Sequence, residues 1–283
     1  MRMKKPLTKD LSSLVEDVYK TLEEGLQDIT ETQINTLADS LKETIVSRLS
    51  QTSSRRDHLS LSSIGKPLRK LWYDLKEPDE EPVSGQARLK FLFGDIIETL
   101  LLWLCSVAGH DVGHQQDEVV HHGVVGHIDS IIDGEVVDVK SASPRSFAKF
   151  FKGTLIEDDP FGYLAQIASY DKEVGKGHPA FLVMNKVNGE LCLYRPNPDF
   201  DLPDTELLIT ECKEALDKDT PPDTLCYPDE EDGKSGNRKL SKSCTFCPYK
   251  KRCWPGLRAF NYSDGVRYLT KVVKEPRAEE IEV

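Results

Sequence analysis

The segment GHIDSIIDGEVVDVKSAS, residues 126–143, constrains the fold more than any other part of the chain. Asp133-Gly134 stands between Ile131-Ile132 and Val136-Val137. An Asp-Gly pair between β-formers is a strong hairpin signal, because both central residues of the tight turn need φ > 0. A two-residue loop then fixes the register. Ile132 faces Glu135, Asp129 faces Asp138, and His127 faces Lys140. Strand alternation predicts one face carrying His127, Asp129, Ile131, Val136, Asp138 and Lys140. The other face, with Ile128, Ser130, Ile132, Glu135, Val137 and Val139, is mostly apolar and suits a core.

Directly opposed residues have Cβ atoms about 4.5–5.5 Å apart. Two ionised carboxylates at ~5 Å repel by roughly 3 kcal/mol at an effective dielectric of about 20. A favourable cross-strand pair contributes only about 0.2–1 kcal/mol, so a plain hairpin gains nothing from Asp129 opposite Asp138. A divalent cation reverses the sign, since carboxylate oxygens are preferred ligands of Mg²⁺ and Mn²⁺. Lys140, on the same face, suits a substrate phosphate or developing negative charge. The alternative is a solvated polar face with Lys140 neutralising one acid.

The length of 283 residues allows one large domain or two small ones. No signal peptide is read at the start, where Lys4, Lys5 and Pro6 precede amphipathic sequence. The most apolar stretch, residues 91–109, is interrupted by Asp95 and Glu98 and is too short to cross a bilayer. A buried helix in a soluble, cytoplasmic protein with no membrane partner is expected. Formal charge is −11, which argues against general adhesion to nucleic acid. Residues 233–256 reverse that balance locally. They carry Lys234, Arg238, Lys239, Lys242, Lys250, Lys251 and Arg252 and no acid.

Helical spacing of Leu11, Leu14, Val15, Val18, Leu22 and Leu26, then of Ile34, Leu37, Leu41 and Ile45, predicts two helices broken near Gly25. Residues 1–57 thus read as a helical extension, an arm for packing on the body, on a second copy or on another protein. The stretch 53–60 reads as a linker, 61–75 as a turn-helix, and 77–85 as a Pro/acid-rich loop. A helix over 91–108, up to three strands, a helix over 160–173, a hairpin over 180–196 turning at Asn188-Gly189, and a helix over 203–218 follow. The class expected is α/β. Boundaries are drawn at 58–225 for the core, 226–256 for a cysteine segment and 257–283 for a C-terminal tail, whose charged end, 274–283, is expected to be mobile.

Glu98 interrupts an apolar helix, and a buried Glu without a partner is costly. It either lies on an exposed stripe or points at Asp129 and Asp138. Gln166 and Tyr170 lie one helical turn apart on one face. In order, Gly94-x3-Glu98, Asp129, Asp138-Val139-Lys140 and Gln166-x3-Tyr170 resemble the PD-(D/E)XK nuclease superfamily, and in particular its RecB-like branch, which has phage-encoded members. The resemblance spans roughly residues 60–256. It implies a restriction-endonuclease-like core, a central mixed β-sheet flanked by helices. It also implies metal-dependent cleavage of DNA in recombination, repair or phage DNA metabolism. RecB-like members usually carry His where this chain has Glu98, and Asp138 stands where Glu is commoner. By this likeness Glu98, Asp129, Asp138 and the Val139 carbonyl hold Mg²⁺ or Mn²⁺. Lys140 positions water or stabilises the transition state, and Gln166 and Tyr170 orient Lys140 and the phosphate. His127 is an extra pocket residue beside Lys140.

Seven cysteines in an intracellular chain argue against disulfides. Cys244-x2-Cys247-x5-Cys253 is a metal signal, and either zinc or a [4Fe–4S] cluster satisfies it. The spacing is similar to that of RecB-like iron–sulfur nucleases, whose fourth cysteine lies upstream of the core. Here that stretch has none, and Cys226 is the substitute. Cys105, Cys192 and Cys212 read as small buried hydrophobes. The cluster would staple its segment to the core and present Arg238, Lys239, Lys242, Lys250, Lys251 and Arg252 to a DNA backbone. Phe246, Tyr249 and Trp254 are candidates for stacking on unpaired bases.

Three functions remain open from sequence. They are an exonuclease acting on single-stranded or end-bearing DNA, a structure-specific endonuclease on the same site, and a DNA-binding module that does not cut.

Overall fold

A computed structural model describes residues 9–25, 29–50, 58–78 and 83–283. Residues 53–57 of the expected linker and 79–82 of the acidic loop at 77–85 fall outside these residues. In chain order the helices are α1 (Leu14–Glu24), α2 (Glu31–Ser50), α3 (Leu68–Lys76), α4 (Gly85–Val107), α5 (Pro144–Phe151), α6 (Tyr163–Val174), α7 (Thr205–Leu216) and α8 (Lys250–Cys253). The strands are β1 (Val112–Gly113), β2 (Glu118–His121), β3 (Val124–His127), β4 (Ser130–Ile132), β5 (Glu135–Ala142), β6 (Ala180–Asn185) and β7 (Leu191–Tyr194). They continue with β8 (Glu230–Glu231), β9 (Arg238–Lys239), β10 (Arg258–Tyr262), β11 (Gly265–Lys271) and β12 (Glu279–Ile281). The chain is mixed α/β and divides into two compact units, Met1–Gly65 with Pro82–Ile209, and Lys66–Glu81 with Thr210–Val283. Among the described residues no helix is long and apolar enough to cross a membrane.

The first unit holds a five-stranded mixed sheet in the order β1-β4-β5-β6-β7. Only β5 and β6 run parallel. A parallel pair needs a long crossover, and α5 and α6 supply it. The Asp-Gly turn forms as expected, with φ of 52° at Asp133 and 85° at Gly134. Its register also holds over Ile132↔Glu135, Ile131↔Val136 and Ser130↔Val137.

The ladder stops at Ser130, and this corrects the longer pairing. His127 faces Glu118 in a separate β2–β3 hairpin, not Lys140. The region 117–143 therefore carries four strands rather than three. The second face of β5 is also covered, because Val136 and Asp138 are as buried as Val137 and Val139. Helices pack on both sides of this central strand, α4 on one and α5 with α6 on the other, as expected for a strand paired in parallel.

Helix α4 starts at Ser84, whose hydroxyl accepts from the Ala87 amide at 3.2 Å. It buries Ile97, Leu101, Leu104 and Cys105 against Ile132, Val137, Val139 and Leu182. Leu11, Leu14 and Val18 join this same core, so the start of the extension packs on the body. Helix α2 buries no residue. It lies against α4 through polar links. Arg48 pairs with Asp95 at 2.7 Å, and Trp103 Nε1 donates to the Gln33 carbonyl at 2.8 Å.

Helix α5 was not anticipated. Its sequence signal is Ser143-Pro144, an N-cap followed by proline at the first helical position. The second hairpin forms, but its loop is longer than two residues. Gly189, at φ 77°, donates back to the Asn185 carbonyl at 2.8 Å.

The second unit holds a five-stranded sheet, β12-β10-β11-β9-β8. Three of its strands come from residues 257–283, read from sequence as a tail, and β12 lies within the end expected to be mobile. Charge hid them, because Arg258 is satisfied by Glu275 at 2.6 Å and Glu280 at 2.7 Å. Phe260 and Leu269 supply the buried side.

Candidate active site

Asp138 lies in the middle of β5, with 1% of its surface exposed. Lys140, two residues on, forms an ion pair with its Oδ2. Neither carboxylate oxygen of Asp138 has a well-directed hydrogen bond. A buried charge left so sparsely satisfied is costly. Asp129 follows the end of the β3 strand, and its Oδ2 accepts from the Val139 amide at 2.8 Å. The two aspartates thus flank β5 without facing each other as ladder partners. Glu98, from α4, accepts from Gln116 Nε2 at 2.9 Å.

The three acids perturb one another. Burial raises the Glu98 carboxyl to about 8, and the neighbouring Asp129 and Asp138 add to the rise. Burial likewise lifts Asp138 to about 7, with Lys140 opposing and Asp129 reinforcing. Asp129 is raised by burial, against the pull of Lys140 and the Val139 amide. Burial disfavours the Lys140 ammonium, but Asp138 and Asp129 outweigh it and hold the proton above the usual lysine range. The three acids are therefore electrostatically linked, and added positive charge would lower the cost of ionising them together.

A cavity of about 790 Å³ opens beside this cluster. Glu98, Asp129, His127, Gln166 and Tyr170 line it, with α2 contributing Thr44 and Arg48. Gln166 Nε2 donates to Tyr170 Oη at 3.3 Å, so the expected one-turn pair is real. Tyr170 is buried against Gly126, where an added Cβ would stand 2.7 Å from its ring. The aromatic ring under Lys140 is that of Tyr163, 5.0 Å from Nζ. Tyr163 escaped the sequence reading, although it sits one turn before Gln166. Gln116 also escaped, and no local pattern singles it out.

Cys226, Cys244, Cys247 and Cys253 all belong to the second unit and are half-buried free thiols. Burial, then Cys247, Cys226 and Cys253, push the Cys244 thiol up to about 12. Cys226 is raised by burial, with Cys253 and Cys247 adding to it. Arg69 Nε, from α3, lies 3.4 Å from Cys253 Sγ. Cys247 and Cys253 pack on the small core of Trp72, Tyr73 and Tyr249. Cys105, Cys192 and Cys212 are buried elsewhere.

The basic residues divide into two sets. Arg238 is bound to Asp229 at 2.7 Å, and Arg252 donates to the Glu77 carbonyl at 2.6 Å. Lys250 lies over Tyr268 at 4.9 Å. Lys242 and Lys251 are exposed, and Lys239 is half-buried. Phe246 is 90% exposed, Tyr249 is buried and Trp254 half-buried.

Among the described residues, no three His, Cys, Asp or Glu side chains converge as a ready metal cage. At the acid cluster the Lys140 ammonium already stands against Asp138. The donor chemistry fits a hard divalent ion at the acids, where both Asp138 oxygens lack hydrogen bonds. It fits a thiophilic metal at the four neighbouring cysteines.

No protein-family model matches the chain, and no curated protein matches it. The solved structure described as "Crystal structure of SSO0001" is similar at 14% identity, over 76% of this chain and 94% of that chain, with a TM-score of 0.44. That likeness is too weak to bear on the site.

Proposed function

We propose that the chain is a metal-dependent deoxyribonuclease of the PD-(D/E)XK type, acting as an exonuclease on single-stranded or end-bearing DNA. The observation that carries this reading is the mutual perturbation of Glu98, Asp129, buried Asp138 and Lys140, with Glu98 and Asp129 in the wall of a cavity. Acids that raise one another's pKa support a place for a cation, whose charge would relieve their repulsion.

Glu98, Asp129, Asp138 and the Val139 carbonyl would hold Mg²⁺ or Mn²⁺. When bound, the ion lowers the pKa of water and offsets charge on the phosphate. Lys140 keeps its proton across neutral pH and faces the phosphate as a fixed positive charge. Tyr163 beneath it and Asp138 beside it hold that ammonium in place. Tyr170 stays protonated, its phenol pushed up to about 12 by burial, and serves as a hydrogen-bond donor. The four cysteines of the second unit would hold a [4Fe–4S] cluster, with zinc as the alternative. Lys239, Lys242 and Lys251, with the engaged Arg238, Lys250 and Arg252, are the phosphate contacts of this reading.

Purified protein should degrade DNA with Mn²⁺ or Mg²⁺. Lys140→Ala and Asp129→Ala should lose at least a hundredfold in rate while circular dichroism stays native. Normal cutting by those variants would falsify the assignment. Covalently closed single-stranded circles should survive, and their cleavage would make the enzyme an endonuclease.

A further inference from the structure

A second cavity, of about 200 Å³, is lined by Lys140 itself. It shares Lys140 and Tyr163 with the acid cluster and adds Phe150, Phe161, Lys149 and Lys186. The two cavities differ in character. The larger is walled by carboxylates. The smaller joins aromatic rings and three lysines to Asp158 and Asp159, with Lys140 held by Asp138 and Lys149 by Asp158 at 2.6 Å.

Phe161 is 56% exposed, yet its position is fixed. Its ring stacks on Tyr163 with centroids 5.3 Å apart and planes at 25°. The next residue, Gly162, has φ 74°, and an added Cβ there would stand 2.5 Å from the Gly65 backbone. Asp159 Oδ2 accepts from the Leu164 amide at 2.9 Å and pins the same turn from the other side. A large apolar ring held rigidly in water adds nothing to folding. It is preorganised for a flat partner, and bases stack on such rings whatever their identity.

We propose that this cavity is the subsite for the nucleotide next to the scissile phosphate, with its base stacked on Phe161 and its phosphate against Lys186. The proposal rests on the nuclease reading and names what that site takes, a single strand with at least one unpaired base at the point of cutting. A base inside a duplex has both faces covered by its stacked neighbours and must leave the stack to lie on Phe161.

The test uses full-length protein in EDTA, where no cutting occurs, and a single-stranded oligonucleotide carrying 2-aminopurine. Wild type should quench its fluorescence on binding. Phe161→Ala should abolish the quench and weaken binding about tenfold or more, the order of one base–aromatic stack. Phe161→Trp should restore both. Lys186→Ala should weaken all sequences alike and lower the salt slope by about one. If Phe161→Ala binds and quenches like wild type, the subsite is wrong while the nuclease reading stands. If wild type neither binds nor cuts any strand, the nuclease reading fails and takes the subsite with it.

Discussion

Glu98 shows how one residue ties folding to pH. Its carboxyl titrates near 8 in the folded chain, against 4.5 for the free group. An acid whose folded pKa is raised binds its proton more tightly in the native state, so its contribution is full below the unfolded pKa and is lost as pH rises through the folded one. Asp138, near 7, acts in the same sense. Lys140 keeps its proton throughout this range and adds no slope. In EDTA the melting temperature should therefore fall between pH 5 and pH 9. Glu98→Gln should flatten that fall, and Mn²⁺ should raise the melting temperature most at the alkaline end. A melting curve independent of pH over this window would contradict the buried assignment. The identity of these acids was legible in sequence, because carboxylates inside β-forming and apolar runs violate the local pattern. That the Lys140 ammonium would sit on Asp138 and over Tyr163 was not, since Tyr163 comes from a helix that only the fold brings near.

At the scale of elements, close backbone approaches decide what packs. Gly126 of β3 lets Tyr170 lie flat, where a methyl group would meet the ring at 2.7 Å and Leu61 at 2.8 Å. Gly126→Ala should cost roughly 1–3 kcal/mol by overpacking and lower activity more than Lys186→Ala does. Calorimetry and a rate assay check both. Leu14→Ala, at a fully buried position of α1, should cost about 2–5 kcal/mol. A loss under 1 kcal/mol would mean that α1 is a dispensable arm. The Asp133-Gly134 turn and three residue pairs of its ladder followed from sequence. The end of that ladder did not, because pairing β2 with β3 competes for the same segment, and local propensity does not rank two hairpins. Helix α5 was overlooked because eight residues give too short a period, although its cap was written plainly as Ser143-Pro144.

At the scale of the whole molecule, the chain builds two five-stranded sheets and a two-stranded one, and the second unit takes α3 from far upstream. Length and composition allowed two units, but the charged C-terminal residues concealed strands whose arginines find their acids only after pairing. The second unit has a small aromatic core, and a bound metal would add much of its stability. Anaerobic protein should be brown with about four irons per chain, and chelation should melt this unit at a lower temperature than the first. A colourless protein with one zinc would exchange the cluster for zinc and leave the acid site untouched.

The ion pair between Asp138 and Lys140 has a wider consequence. A chain that carries its own counter-charge can be synthesised, folded and stored before any divalent metal reaches it. The incoming ion must displace or share what the lysine already supplies, so its affinity is tempered. Under the proposed nuclease reading, activity would then follow the free ion level and not renewed folding, and withdrawal of the ion would leave an idle, intact chain.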